Sequence, residues 1–174
     1  MVSEQSNPHR SVQCPAVTAY NHLLLDNQLC FALYAATNAV TRAYREPLSK
    51  LGLTYPQYLA MLVLWEHGAQ TVKGLADALQ LDSSTLTPLL KRLETAGWVS
   101  RARDAGDERI VRIELSAAGK ALRRPVSAIQ KVVVCRTQLP QAEFVVLRSL
   151  LHELAETMAN KQVQAQVQVQ VQVR

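Results

Sequence analysis

The sequence predicts a mainly α fold with a small β-wing, on three observations. Two short helical stretches, "TVKGLADALQL" and "DSSTLTPLLKRLETAG", follow one another with only a turn between them. A ribbon of alternating residues, "VSRARDAGDERIVRIELS", comes directly after. Longer apolar runs of helical period flank this centre on both sides. Helix, turn, helix and ribbon in that order form the layout of a winged helix-turn-helix.

Along the chain, residues 1–20 mix Ser, Pro, Gln and Asn without a period and read as a flexible tail. Residues 21–53 hold the first long helix. Leu25, Leu29, Ala32, Leu33, Ala36, Val40, Ala43 and Tyr44 recur at helical spacing from about Leu24 to Lys50, until Gly52 and Pro56 break the pattern. Residues 54–116 form the winged helix-turn-helix. Thr54 is placed to cap a helix from about Tyr55 to His67, and Thr71 a short one with Leu75, Ala76 and Leu79 inward. Asp82 is placed to cap the next, in which Leu86, Leu89, Leu90 and Leu93 make an i, i+3, i+4, i+7 stripe and Gly97 supplies the stop. Pro88 leaves two alternatives open: a bend tolerated inside that helix, or a regular part that begins at Thr87.

Val111, Ile113 and Leu115 alternate with Ile110, Arg112 and Glu114, as in a half-buried strand, and "DAGDE" is the turn before it. Residues 117–160 carry the closing helices: a long one from Ser116 to about Thr137, kinked or restarted at Pro125, and a last one opened by Pro140. The last presents Phe144, Leu147, Leu150, Leu151, Leu154 and Met158 on one face. Residues 161–174, "QVQAQVQVQVQVR" with its preceding Lys161, form a low-complexity tail for which disorder is expected.

Composition narrows the function. No stretch is long and apolar enough for a membrane span, and the N-terminal residues lack the apolar core of a secretory signal, so a cytoplasmic location is expected. Three cysteines, Cys14, Cys30 and Cys135, do not make a disulfide scaffold. His9, His22, His67 and His152 are scattered without ligand spacing, so neither a metal site nor a cofactor is expected. The net charge is +5, and it is uneven: residues 83–124 hold nine basic and five acidic residues, whereas residues 1–82 hold five and six. The positive excess therefore falls mainly in one central segment, residues 83–124.

That placement points to double-stranded DNA. With the leucines of the second helix turned inward, Ser84, Thr85, Thr87, Pro88, Lys91 and Arg92 face outward. Small hydroxyls near a helix N-terminus suit phosphate or base edges, and the two cations suit phosphate. In the ribbon Arg101, Arg103, Arg109 and Arg112 could follow the backbone, with Arg109 reaching a minor groove and Asp107 orienting its guanidinium. An ordinary solvated helix and hairpin is the bland alternative; the order of elements and the charge asymmetry argue against it.

The stretch "GLADALQLDSSTLTPLLKRLETAGWVSRARDAGDERIVRIELSAAGKAL" resembles the DNA-binding core of the MarR family of bacterial transcription regulators. The specific pieces are the hydroxyl-rich recognition helix, "RLETAGWV", the "DER" of the wing and "LSAAG", and the resemblance extends over roughly residues 22–160. It implies a homodimer with the first and last helices as a dimerisation platform, and a pseudopalindromic operator read by two symmetric lobes. It also implies a regulator, not an enzyme.

Cys30 sits in "LDNQLCFALYAATNAVTRAY", which carries no formal charge between Asp26 and Arg42. Free cysteine is among the most buried residue types, so core filling is the default. The segment "LDNQLCFALYAATNAVTRAYREPLSKLGLTYPQY" is similar, however, to the family branch that senses organic hydroperoxides. By that resemblance Cys30 is the redox-sensing thiol, and the phenols of Tyr34, Tyr44 and Tyr55 stabilise its thiolate. Cys135 of the partner subunit is then the resolving thiol, as in the two-cysteine subtype. Cys14 matches nothing and reads as a bystander. Tyr44 lies fourteen residues after Cys30, about 21 Å along an unbroken helix, which places any contact between them across two subunits.

Three rivals remain at this level: a MarR-type repressor released by a small reversible ligand such as a phenolic acid, a thiol peroxidase, and a structural DNA-binding protein without sequence preference.

Overall fold

Residues 21–103, 106 and 110–159 are described in the computed structural model. The two tails with Cys14, and Asp107 and Arg109 at the ribbon's turn, lie outside them. The described residues fall into two compact units that divide between Ala43 and Tyr44.

In the first unit, short 3-10 turns at Asn21–Leu23 and Leu25–Asn27 precede helix α1 (Leu29–Ser49). The expected start near Leu24 is thus too early. Asn27 explains why: its side-chain amide donates to the Asn21 carbonyl at 2.8 Å, a local bond that competes with the helical ladder. Gln28 then takes an extended conformation, φ −87° and ψ 114°, before the helix begins.

The second unit holds the rest of α1, then α2 (Tyr55–His67), β1 (Gln70–Thr71), α3 (Val72–Leu79) and α4 (Ser83–Thr95). After these come β2 (Val99–Arg103), β3 (Val111–Leu115), α5 (Ala117–Ala121), α6 (Arg123–Arg136) and α7 (Gln141–Ala159). Its core is built from one stripe per helix: Leu48 of α1, Ala60, Met61 and Leu64 of α2, Leu75 of α3, and Leu86, Leu90 and Leu93 of α4 are almost fully buried. Burying each leucine is worth about 1.5–3 kcal/mol, so this set alone fixes how α4 is presented. The opposite side of α4 is left to solvent.

The caps follow the sequence in part. Thr71 accepts from the Gly74 amide at 2.9 Å, and Gln57 Oε1 accepts from the Thr54 amide at 2.8 Å. Asp82 occupies the N-cap of α4, but its side chain makes no cap hydrogen bond; its carbonyl accepts from the Thr85 and Leu86 amides instead. Gly97, at φ +77°, ends α4 in a Schellman turn, with Gly97 N–H on Glu94 O and Trp98 N–H on Leu93 O. Pro88 lies in the interior of α4, which is helical from Ser83. The regular part therefore does not wait for Thr87, and the helix continues through the missing donor at Pro88.

The wing is a three-stranded antiparallel sheet in the order β1-β3-β2, in which Gln70 pairs with Ile113 and Arg101 with Ile113 from the other side. Two strands were expected; β1, only two residues long, adds a third. Within β3 only Ile113 is buried, and Ile110 lies before the strand.

Past the wing the restart offered at Pro125 is the alternative that holds, and it comes slightly earlier. The helix breaks at Leu122, and α6 restarts at Arg123. Pro125 thereby falls in a first turn, where its missing N–H leaves no helical bond unmade. Pro140 precedes α7 as expected, its carbonyl accepting from Phe144 N–H at 2.9 Å. None of the residues of α7 is buried.

Candidate nucleic-acid interface and redox thiols

Helix α4 is positioned by its buried leucines and carries Ser84, Thr85, Thr87, Pro88, Lys91 and Arg92 exposed on the other side. The Thr87 hydroxyl donates to the Ser83 carbonyl at 2.8 Å, so it faces outward already engaged along the helix. Pro88, Lys91, Arg92, Thr95 and Ala96 line one continuous surface groove of α4. Arg103 is also exposed, and Arg112 is partly covered.

Arg101, on β2, is not free to follow a phosphate chain with its whole guanidinium. Its Nε donates to Glu94 Oε2 at 3.0 Å. Glu94 was not singled out from the sequence. The available signal was its place: an acid in the last turn of a helix, where the dipole disfavours it.

Cys30 lies near the start of α1 and Cys135 near the end of α6, and both thiols are exposed in the single chain. Core filling is therefore not what Cys30 does in this chain. Tyr34, one turn after Cys30 on α1, is also exposed, at 65%. The expected condition for a Tyr44 contact within one chain, a break in the helix, is absent, because Leu29–Ser49 is one α-helix.

Tyr44 and Tyr55 belong to a cluster that the sequence reading left incomplete. Tyr58 completes it: ring centroids lie 5.4 Å apart for Tyr44–Tyr55, 5.2 Å for Tyr44–Tyr58 and 5.9 Å for Tyr55–Tyr58. The missed signal was the i, i+3 spacing of Tyr55 and Tyr58 on one helix face. Burial pushes all three phenols above the ordinary tyrosine value, partly offset at Tyr44 by a hydrogen bond with Tyr58. All three therefore stay neutral O–H groups at physiological pH.

Residues 53–111, from the approach to α2 into β3, match the MarR family. The organic hydroperoxide resistance transcriptional regulator of Bacillus subtilis is 43% identical over 142 residues, covering 82% of this chain and 97% of that protein. The chain belongs to the MarR family. Among solved structures, this MarR-family chain is similar to reduced AbfR bound to DNA, with 38% identity, a TM-score of 0.65, and coverage of 77% of this chain and 92% of that one. It is also similar to disulfide-formed AbfR, at 37% identity and a TM-score of 0.54, covering 77% and 89%. AbfR is a protein of Staphylococcus epidermidis.

Membership makes this a winged-helix transcription regulator, from a family of regulators and not of enzymes, in which α3 and α4 are the helix-turn-helix and β2–β3 the wing. Among the described residues, no group of three or more His, Cys, Asp or Glu could hold a metal ion, and no helix is long and apolar enough to cross a membrane.

Proposed function

We propose that this MarR-family chain is a redox-sensing repressor: a cytoplasmic homodimer that binds a pseudopalindromic operator when reduced and leaves it when an organic hydroperoxide oxidises Cys30. The observation that carries this reading is the setting of Cys30. It is exposed on α1 among the exposed Leu25, Leu29 and Tyr34. An accessible thiol in an uncharged apolar setting suits a hydroperoxide with a hydrocarbon body. The names of the similar proteins, an organic hydroperoxide resistance regulator and a DNA-bound regulator with reduced and disulfide forms, point the same way.

The chemistry balances as follows. The Cys30 thiolate attacks the distal peroxide oxygen, the O–O bond breaks, and the alkoxide takes a proton and leaves as an alcohol. Cys30 becomes a sulfenic acid. Cys135 of the partner subunit attacks that sulfur, water leaves, and a disulfide joins the subunits. A cellular thiol reductant would restore both cysteines. Tyr34 on the same helix, with Tyr44 and Tyr55 as neutral donors from the other subunit, would stabilise the thiolate. A disulfide needs Cα atoms about 4.4–6.8 Å apart. Drawing two helices to that distance would re-space the two α4 helices, so both half-sites could no longer be engaged together. Lys91, Arg92 and Arg103 would contact phosphate, Ser84, Thr85 and Thr87 the base edges, and Arg109 with Asp107 the minor groove.

Operator binding measured on a duplex that the protein enriches from a random pool tests this. Cys30→Ser should bind like wild type and stay bound in cumene hydroperoxide. Release of Cys30→Ser by the peroxide would overturn the sensor reading.

One observation favours a second reading, a repressor released by a small reversible phenolic ligand. A groove of about 670 Å³ between α2 and α6 is lined by Tyr58, Leu62, Trp65, Arg123 and Val126, among others. Aromatic walls with one guanidinium and the Glu66 carboxylate suit a small aromatic ligand with a polar substituent such as a phenol. Here release would reverse on dialysis without a reductant, whereas a disulfide would require one.

A further inference from the structure

From the Glu94–Arg101 pair we infer that Glu94 is a positioning residue for operator binding, holding the Arg101 side chain so that its terminal nitrogens face a phosphate. This rests on the reading of α4 and the wing as the DNA surface.

An acid at Glu94 is out of place by every local criterion. It stands in the last full turn of α4, where the helix dipole favours cations. It also stands in the segment whose other charges are mostly positive, on a surface read as facing polyanionic DNA. A bare carboxylate there would repel phosphate. What offsets this is Arg101, seven residues on, whose Nε donates to Glu94 Oε2 at 3.0 Å.

The backbone places the two together. The Schellman turn at Gly97 reverses the chain after α4. Val99 starts β2 facing the core at 3% exposure. Arg101 is two residues on and so shares that strand face, which brings it alongside the end of α4. The contact uses Nε alone. A guanidinium has five N–H groups, and the four on its terminal nitrogens remain to donate elsewhere. The pair is about one-third exposed, at 36% and 39% for the two side chains, so it lies at the edge of the surface where a phosphate could reach it. An exposed pair of this kind adds little to folding. Its effect is on where the arginine points, since an unheld arginine must lose rotamer freedom on binding.

The proposal makes a prediction of opposite sign to simple charge. Removing a negative charge from a DNA surface should tighten binding. If Glu94 positions Arg101, Glu94→Gln should weaken binding to the pool-enriched duplex about three- to tenfold. It should also lower the slope of log K against log salt by up to about 0.9, the loss of one phosphate contact. In an Arg101→Gln background, the same substitution should leave binding unchanged or tighter. Glu94→Gln that binds as tightly as wild type, or that weakens binding equally in both backgrounds, overturns the proposal. Should Glu94→Gln fail to fold, Glu94→Asp keeps the charge but withdraws it by one methylene, and should show a smaller loss of the same sign; unchanged binding there overturns it too. Failure of the DNA reading is distinct: wild type itself would then not prefer the enriched duplex over a scrambled one.

Discussion

The Ser116 hydroxyl donates to the Gly97 carbonyl at 2.6 Å and accepts from the Gly119 amide at 2.9 Å. One side chain therefore joins the end of α4 to the start of α5, the helix that leads away from the wing. Trp65 adds a second tie, its indole N–H donating to the Gly119 carbonyl at 2.9 Å. Ser116→Ala should lose both the cap and the tie and destabilise the fold by about 1–2 kcal/mol. Urea unfolding measures this; an unchanged midpoint would show that the tie contributes nothing.

Gly119 has a different constraint. A Cβ there would overlap the Trp98 carbonyl, a backbone atom that cannot swing aside. Gly119→Ala should therefore cost more than Gly97→Ala. The latter adds a Cβ in open space and is penalised only by its positive φ, by about 1 kcal/mol. Parallel thermal unfolding of the two variants decides the order, and a more stable Gly119→Ala would contradict the close approach.

The three buried phenols give a pH dependence. Their folded-state pKa values lie above the ordinary 10.0, with burial as the leading cause. Each phenol thus holds its proton more tightly in the folded chain. The stability they contribute is complete below the unfolded value, about 10, and is lost as pH rises through the folded value. Stability should therefore fall above about pH 10. Tyr58→Phe removes one ionisation, so the gap between wild type and the variant should shrink as pH rises. Denaturant unfolding between neutral and alkaline pH checks it; a constant gap would mean that Tyr58 does not titrate abnormally.

Helix α7 exposes Val146, Leu147, Leu150 and Leu151. Water-facing apolar surface of that extent on a single helix calls for a covering partner, and a second copy of this chain is the partner proposed. Leu150→Glu should shift light scattering from dimer toward monomer. It should also weaken operator binding at least about tenfold, because two linked half-site contacts become one. A Leu150→Glu protein that stays dimeric and binds normally would place the partner face elsewhere.

Much of the fold was legible because local signals agreed with packing. Leu86, Leu89, Leu90 and Leu93 gave both the extent of α4 and its buried side, and Thr71 and Gly97 marked true ends. What could not be read depends on contacts between distant residues. The two-residue β1 exists only because Ile113 and Arg112 pair with it. The break at Leu122 comes just ahead of Pro125, where the sequence offered a kink or restart; its exact place follows the Gly119 anchor, a contact with the distant Trp65. Asn27 bonding back to Asn21 shortened α1 although the apolar spacing ran on. On α4 the outward residues followed from the leucine stripe, but the Glu94–Arg101 pair joins two different elements. Tyr58 follows from the helix face it shares with Tyr55, whereas the resemblance marks tyrosines by their spacing from Cys30.

The central claim is that oxidation joins Cys30 to Cys135 of the partner subunit. The most direct measurement is peptide mass spectrometry of the reduced protein after one equivalent of organic hydroperoxide, with operator binding followed in the same sample. The account predicts a peptide pair linked through these two sulfurs, two hydrogens lighter than the separate thiols, that grows in step with release from DNA. Release from DNA with Cys30 still a free thiol would contradict it.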